Sequence, residues 1–325
     1  AMLNAAMAGL GPVSVKVGQT LSQRPDLVGE EACEALKSLQ TKNRPFSNAA
    51  ALESVMVEFK LNSTANVAPN IGGLPASECL FASFSEEPAA AASLGQVYKA
   101  TLRSTGDEVA VKVQRPFVLE TVSLDLYLAR QLGIGLRNFA PSFVTERLDV
   151  IDLLDEFAGR FYGELDYVLE CENGERVRED MRNLPRVLIP KNYPEVTTRR
   201  VHVAEWVDGE KLSQSTPDDV GELVNLGVIT YLTQLLEFGF FHADPHPGNM
   251  MRTTDGKLAI LDFGLMTEVT DNQKYGMIEA IAHLINPDYS LIGYDYVNMD
   301  SVSYKHHRAH ETQAHLVWRV LHEKK

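Results

Sequence analysis

The chain is poor in several things, and each shortage removes a class of protein. It holds three cysteines, Cys33, Cys79 and Cys171, widely spaced and without a CxxC pair. That set makes neither a disulfide framework nor a zinc site, and it suits a reducing compartment. Basic residues are scarce: 30 Lys and Arg stand against 44 Asp and Glu, a net charge of -14. A nucleic-acid binder needs a cationic face for phosphates, so the composition argues against that class, a local basic patch apart. Long hydrophobic runs are also missing at the start. "AMLNAAMAGLGPVSV" is 15 uncharged residues broken by Gly-Pro, too short to span a bilayer. With no basic residues ahead of it, it does not read as a signal peptide. The chain opens as though residues were missing upstream, which would put any organelle-targeting segment outside it.

What is present is ordinary globular material. Of 325 residues, 45% are hydrophobic and 23% charged, enough for two domains or lobes with a core each. Three regions follow in order. Residues 1–78 read as a helical extension. "RPDLVGEEACEALKSLQ" sets Ala32, Leu36 and Leu39 at helical spacing behind Glu30 and Glu31, and "FSNAAALESVMVEFKL" gives a helix capped near Ser47 or Asn48. A loop, "NSTANVAPNIGGLPAS", closes this region. Residues 79–207 begin with strand-like runs, "CLFASF", "GQVYKATL" and "DEVAVKVQ", the last two joined by the turn "RSTGDE". Helices are expected over 117–137 and 143–182, then the strand "RVHVAEWV". Residues 208–325 are mainly helical, with a long apolar-striped helix leading into "GFFHADPHPGNMM" and a small hairpin ending at "DFG". This order points to a nucleotide site in a cleft between two lobes.

The chemistry concentrates in that last region. His242-Ala243-Asp244 is followed by Asn249 five residues after the aspartate, the spacing that separates the base and the metal-binding amide of a kinase catalytic loop. Asp262-Phe263-Gly264 begins thirteen residues after Asn249. A hairpin of that length can fold Asp262 back beside Asn249, giving the hard oxygen ligands that Mg²⁺ prefers and leaving room for phosphate oxygens. In "VAVKVQRP", Val109, Val111 and Val113 alternate with Ala110 and Lys112. If the valines are core, Lys112 faces the cleft, where a cation can hold nucleotide phosphates. A lysine used this way needs an orienting carboxylate, and "FYGELDYVLECENGERV" offers Glu164, Asp166, Glu170 and Glu172, with Asn173 three residues beyond Glu170. The other reading of the catalytic stretch, a transition-metal site on His242, Asp244 and His246, suffers from the stiffening prolines 245 and 247 and from the absence of a further ligand cluster. His242 is instead expected to pack and to position the loop.

Where a protein kinase carries a glycine-rich loop, this chain has "PAAAASLGQVYKA". With the Lys-x-Gly-Gln motif Lys16-Val17-Gly18-Gln19, the Glu-x-Asp motif Glu164-Leu165-Asp166, "HADPHPGN" and "DFG", the sequence closely resembles the UbiB/ABC1/ADCK family of atypical protein-kinase-like proteins from residue 10 to about 290. "QTLSQRPDLVGEEACEALKSLQ" looks more like the plastid and cyanobacterial branches than the animal coenzyme-Q branch. The resemblance implies an α+β, protein-kinase-like bilobal fold with a helical N-terminal extension. It implies ATP and Mg²⁺ as cofactors, with the nucleotide bound by Ala90, Ala91, Ala92, Ser93, Gly95, Lys112 and Glu205. Glu170 would orient Lys112, Asn249 and Asp262 would hold the metal, and Asp244 would stand at the catalytic-base position. Lys16 and Gln19, on the extension folded over the cleft, would regulate, with the lysine near Glu164 and Asp166.

Three features argue against protein phosphorylation. Alanine replaces glycine over the phosphates and stiffens the loop. Ala243 stands where an arginine would read a phosphorylated activation loop. No Ala-Pro-Glu motif follows DFG. The leading expectation is a Mg-dependent ATPase or kinase of a small lipid-like molecule. It would support prenyl-quinone or isoprenoid lipid metabolism at a membrane surface, in contact with a quinone-biosynthesis complex, in a plastid (thylakoid or plastoglobule periphery) or alternatively a mitochondrion. The alternatives are a nucleotide-binding scaffold of a lipid-biosynthesis complex and a protein kinase. The tail "YDYVNMDSVSYKHHRAHETQAHLVWRVLHEKK" departs from the family pattern. His306 and His310 lie one helical turn apart there and read as part of a basic surface tail rather than a metal site.

Overall fold

A computed structural model of the chain describes residues 11–21, 29–36, 45–137, 150–215, 219–243, 245, 247–286 and 291. Two compact units emerge. The first takes in the described residues of 1–223 together with 246–265, and the second those of 224–245 and 266–325.

The first unit is built on a five-stranded antiparallel sheet. Its order is β1 (Phe81–Phe84), β3 (Gly95–Leu102), β4 (Glu108–Gln114), β6 (Val201–Glu205), with the short β2 (Ala90–Ala91) paired to β3. The turn "RSTGDE" closes the β3–β4 hairpin as its sequence leads one to expect, Thr101 standing opposite Glu108. Val109, Val111 and Val113 are fully buried on one face, with Phe81, Phe84, Tyr98, Val201 and Val203. That face is covered by α3 (Asn48–Glu58), which supplies Ala51 and Val55, and by Val67 and Ala68 of the following loop. Ser47 starts α3 by accepting the Ala50 N–H, 3.3 Å away. Tyr98, deep in this core, keeps its hydroxyl satisfied by donating to Asn48 Oδ1 at 2.8 Å.

Helices α1 (Pro12–Leu21) and α2 (Glu30–Leu36) belong to the same unit, as do α4 (Val118–Arg137), α5 (Val150–Glu164) and α6 (Tyr167–Asp180). A second apolar cluster joins three of them: Val13 from α1, Val118, Val122 and Leu126 from α4, and Phe161 from α5, with Leu165 beside it. Leu94, at the tip of the β2–β3 hairpin, inserts into it. The single helix expected over 143–182 is split here. Asp166 leaves helical geometry (φ -104°, ψ 96°), and its carboxylate accepts the Val168 and Leu169 N–H groups, so an acid read as one face of a continuous helix is the N-cap of a new one. Beyond α6, β5 (Val187–Leu188) joins β10 (Leu258–Ile260), β9 (Met250–Thr253) and β7 (Gly209–Lys211) in a second sheet, order β5-β10-β9-β7. The β9–β10 hairpin is the one read from "MMRTTDGKLAIL".

α7 (Val220–Thr233), in the second unit from Val224 on, widens into a π turn over Gln234–Phe238 and stops at Gly239, whose φ of 67° suits a residue without a Cβ. Strand β8 (Phe240–His242) then pairs with β11 (Met266–Glu268), and α8 (Asp271–Ile285) follows, capped reciprocally by Thr270 and Gln273. His242 is buried, with its backbone N–H donated to Gln234 Oε1 at 3.1 Å, a packing residue as its sequence context leads one to expect. Among the described residues no helix is long and apolar enough to cross a membrane.

Leu94 couples the alanine-rich hairpin to the helical cluster, and its side chain is nearly buried at 8% exposure. Leu94→Ala is expected to destabilise the chain by about 2–3 kcal/mol. A drop in the urea midpoint with unchanged slope is the measurement that checks it.

Candidate active site

Burying the β4 valines against α3 turns Lys112 to the opposite face of the sheet, where α6 lies. Glu170 of α6 meets it there, with Nζ 2.7 Å from Oε1 and 2.8 Å from Oε2. Glu170 is 2% exposed, while Lys112 keeps 25% of its side chain open, enough for a phosphate oxygen to share the ammonium. The Tyr167 ring lies 4.9 Å from the same nitrogen. Burial works to lower the Lys112 pKa, but Glu170 and then Asp262 outweigh it and hold the ammonium well above its ordinary range. Burial raises the Glu170 carboxyl, with Lys112 pulling against it.

The acids that the sequence left undivided have separate tasks. Glu164, at the end of α5, pairs with Lys16 of α1 at 2.7 Å, both largely enclosed. Burial raises its carboxyl, Lys16 lowers it, and Asp262 raises it further. Asp166 caps α6, with Arg199 at 3.8 Å. Glu172 is exposed.

The β9–β10 hairpin brings Asn249 and Asp262 together. Leu261 N donates to Asn249 O at 3.0 Å, Asn249 Nδ2 to Asp262 Oδ2 at 3.1 Å, and Gly264 N to Asp262 Oδ1 at 3.0 Å. Three carboxylates, Glu164, Glu170 and Asp262, act on one another electrostatically, with the Lys16 and Lys112 ammonium groups acting against them. The donors at Asn249 and Asp262 are hard oxygens, so these residues fit Mg²⁺. Among the described residues no group of three or more His, Cys, Asp or Glu could hold a metal unaided. Asn249 and Asp262 would therefore hold the ion jointly with phosphate oxygens and water.

The alanine-rich segment forms the β2–β3 hairpin, with Ala90 opposite Val97 and Ala91 opposite Gln96. Ala92 N donates to Gly95 O at 2.7 Å, and Ser93 O accepts from Arg115 Nε at 3.3 Å. A Cβ on Gly95 would stand 2.6 Å from Val113 O and 2.8 Å from the Tyr167 hydroxyl, so the hairpin seats only on glycine there. Glu205 lies three residues past His202 on β6, and the pleat turns its carboxylate away from the Lys112 face, where it accepts the Lys191 N–H at 3.1 Å. A role for Glu205 toward a nucleotide is left to its main chain. The Gln19 backbone lies in α1, while its side chain, Asp244, His246, Leu39, His306 and His310 lie outside the described residues.

Two buried residues, His202 and Asn192, escaped sequence reasoning. His202 sits opposite Lys112 in the β4–β6 ladder, with Nε2 2.7 Å from Asn192 Oδ1 and Nδ1 4.0 Å from Glu170 Oε1. Asn192 Oδ1 can only accept, so Nε2 carries the proton. Burial, then the Lys112 charge, depresses this imidazole to about 3, and it is neutral. The one sequence signal was its place between the core valines of "RVHVAEWV", which puts it on the polar face.

Fold and site together define a protein-kinase-like chain of mixed helices and mainly antiparallel sheets. The profile of the ABC1 atypical kinase-like domain matches residues 52–295, and the chain belongs to that family. It is 44% identical to the Arabidopsis thaliana chloroplastic protein ACTIVITY OF BC1 COMPLEX KINASE 3 over 299 residues, covering 90% of this chain and 40% of that one. It is 43% identical to an uncharacterized protein of Synechocystis over 303 residues, covering 92% of this chain and 42% of that one. These relatives place it with the plastid and cyanobacterial branch, and it spans about two fifths of their length. Among solved structures, the Rv3197–erythromycin complex from Mycobacterium tuberculosis is similar at a TM-score of 0.58 and 28% identity, covering 86% of this chain and 67% of that one.

A folded-state imidazole at about 3 binds no proton where an unfolded one, near 6.5, does. Its contribution to stability is therefore whole above 6.5 and is lost as pH falls toward 3. Between about pH 7 and 5.5 the parent chain is expected to lose roughly 1 kcal/mol more stability than His202→Gln, read as the difference between their urea midpoints at the two pH values. Removing one partner of the buried pair is more severe. Glu170→Gln strands the Lys112 charge and should cost about 3–5 kcal/mol, measured by the same denaturation.

Proposed function

We propose that this chain is the nucleotide- and Mg²⁺-binding part of an atypical kinase or ATPase that transfers the γ-phosphoryl group of ATP to water or to a small lipid-like molecule. The observation that carries the reading is the two-contact Lys112–Glu170 pair, buried on the glutamate side and open on the lysine side, with Asp262 acting on both charges. Lys112, oriented by Glu170, holds phosphate oxygens. Asn249 and Asp262 hold Mg²⁺, which when bound neutralises charge on the phosphates. Asp244, at the base position of the loop, takes the proton of the attacking hydroxyl as ADP leaves.

The stiff β2–β3 hairpin and the enclosed Lys16–Glu164 pair favour a small acceptor over a peptide. Chloroplastic and cyanobacterial relatives support a plastid setting; within it we set the activity at the thylakoid or plastoglobule periphery, on prenyl-quinone or isoprenoid lipids at a membrane surface, beside a quinone-biosynthesis complex. A second reading draws on Lys16. An N-terminal helix pinned by charge beside the DFG glycine could report nucleotide occupancy to a lipid-biosynthesis complex, with turnover incidental.

Mg-dependent ATP hydrolysis, with and without anionic liposomes, separates the two. The enzyme reading expects turnover that rises with liposomes and falls at least about 100-fold in Asp262→Asn and Asp244→Asn. Nucleotide binding without turnover under any condition overturns it and leaves the scaffold.

A further inference from the structure

Asn173 lies one turn past Glu170 on α6, and its Nδ2 donates to the Phe263 carbonyl at 3.0 Å, across 90 residues of sequence. That carbonyl belongs to the same peptide unit as the Gly264 N–H, which donates to Asp262 Oδ1. One rigid, planar group is thus held at its oxygen by Asn173 and holds the Asp262 carboxylate with its nitrogen. A donor on the carbonyl also polarises the peptide and strengthens the N–H at its other end.

The next two residues fix α6 at the distance this bond needs. A Cβ on Gly174 would stand 3.2 Å from Phe263 Cδ2 and 2.6 Å from Asn192 Nδ2, so only glycine lets the helix come so close. Phe263 is 2% exposed and Asn192 3%. Glu175 accepts the Asn192 backbone N–H at 2.7 Å and its Nδ2 at 3.3 Å, while Asn192 Oδ1 accepts from His202. Asn173, Gly174 and Glu175 therefore clamp one turn of α6 on two sides, and the preceding turn carries Glu170.

We infer that Asn173 is a positioning residue for Asp262: through the Phe263–Gly264 peptide it sets the rotation of the metal-binding carboxylate and ties it to the helix that orients Lys112. This rests on the reading of Asp262 as a Mg²⁺ ligand, and the clamp goes beyond it by naming what aims that ligand.

The test follows a fluorescent ribose-labelled ADP on the full chain, first without metal and then in a Mg²⁺ titration, in Asn173→Ala, Asn173→Asp and Asp262→Asn. Losing one such hydrogen bond should raise the Mg²⁺ concentration for half-saturation about 10-fold in Asn173→Ala while leaving metal-free nucleotide affinity within about twofold. Hydrogen exchange at the Gly264 amide should also quicken about 10-fold without any ligand. If Asn173→Ala does not fold, Asn173→Asp keeps the volume, removes the donor and decides by the same readings. The inference is overturned alone if Asp262→Asn abolishes the Mg²⁺ response while neither Asn173 variant shifts it or the exchange. It is also overturned, as a plain packing role, if both affinities fall together. Should Asp262→Asn leave the Mg²⁺ titration unchanged, the metal assignment fails and takes the clamp with it.

Discussion

Lys112 and Glu170 lie together where each charge costs several kcal/mol to desolvate, and a buried pair of this kind adds little net stability. Its geometry depends on precise support from both sides. The valines of β4 must be buried for the lysine to face α6, and α6 must start at Asp166 for Glu170 to arrive opposite it. Tyr167 and His202 fill the space beneath the ammonium, and the histidine does so only because it stays neutral. The arrangement makes chemical sense as a place prepared for a further anion, which the exposed side of Lys112 can share.

The charges around that pair form a short electrostatic chain. Lys16 answers Glu164, Lys112 answers Glu170, and the Asp262 charge acts on Lys112, Glu164 and Glu170 alike. The Asp262 carboxylate, at the start of the DFG segment, is a hard oxygen donor of the kind a divalent ion such as Mg²⁺ takes. The clamp at Asn173 and the hairpin bond at Asn249 grip the same aspartate from two directions, one through a peptide and one through a side chain.

Much of this was readable in the sequence, and the exceptions have physical reasons. Alternation in "VAVKVQ" located Lys112 because a strand sorts its residues by face with a period of two. The spacing from Asp244 through Asn249 to Asp262 located the hairpin because a turn of fixed length brings its ends together. The Asn173–Phe263 bond was invisible because nothing local marks a contact between residues so far apart. The helix break at Leu165 was missed because apolar periodicity runs through it and only the Asp166 dihedrals reveal the cap. Lys16 came from family resemblance alone, since the partner that gives it meaning lies on another helix.

The insertion of Leu94 among the side chains of α1, α4 and α5 has a further implication. Val13 of α1 touches the same cluster that anchors the hairpin, and Lys16 of α1 neutralises an enclosed glutamate. The N-terminal helix is therefore not a detachable accessory. A version of this chain cut back to a minimal kinase-like core would expose a greasy socket under the β2–β3 hairpin and strand an anion in its interior. The helix Pro12–Leu21 has to be inherited with the glutamate it neutralises and the cluster it packs into.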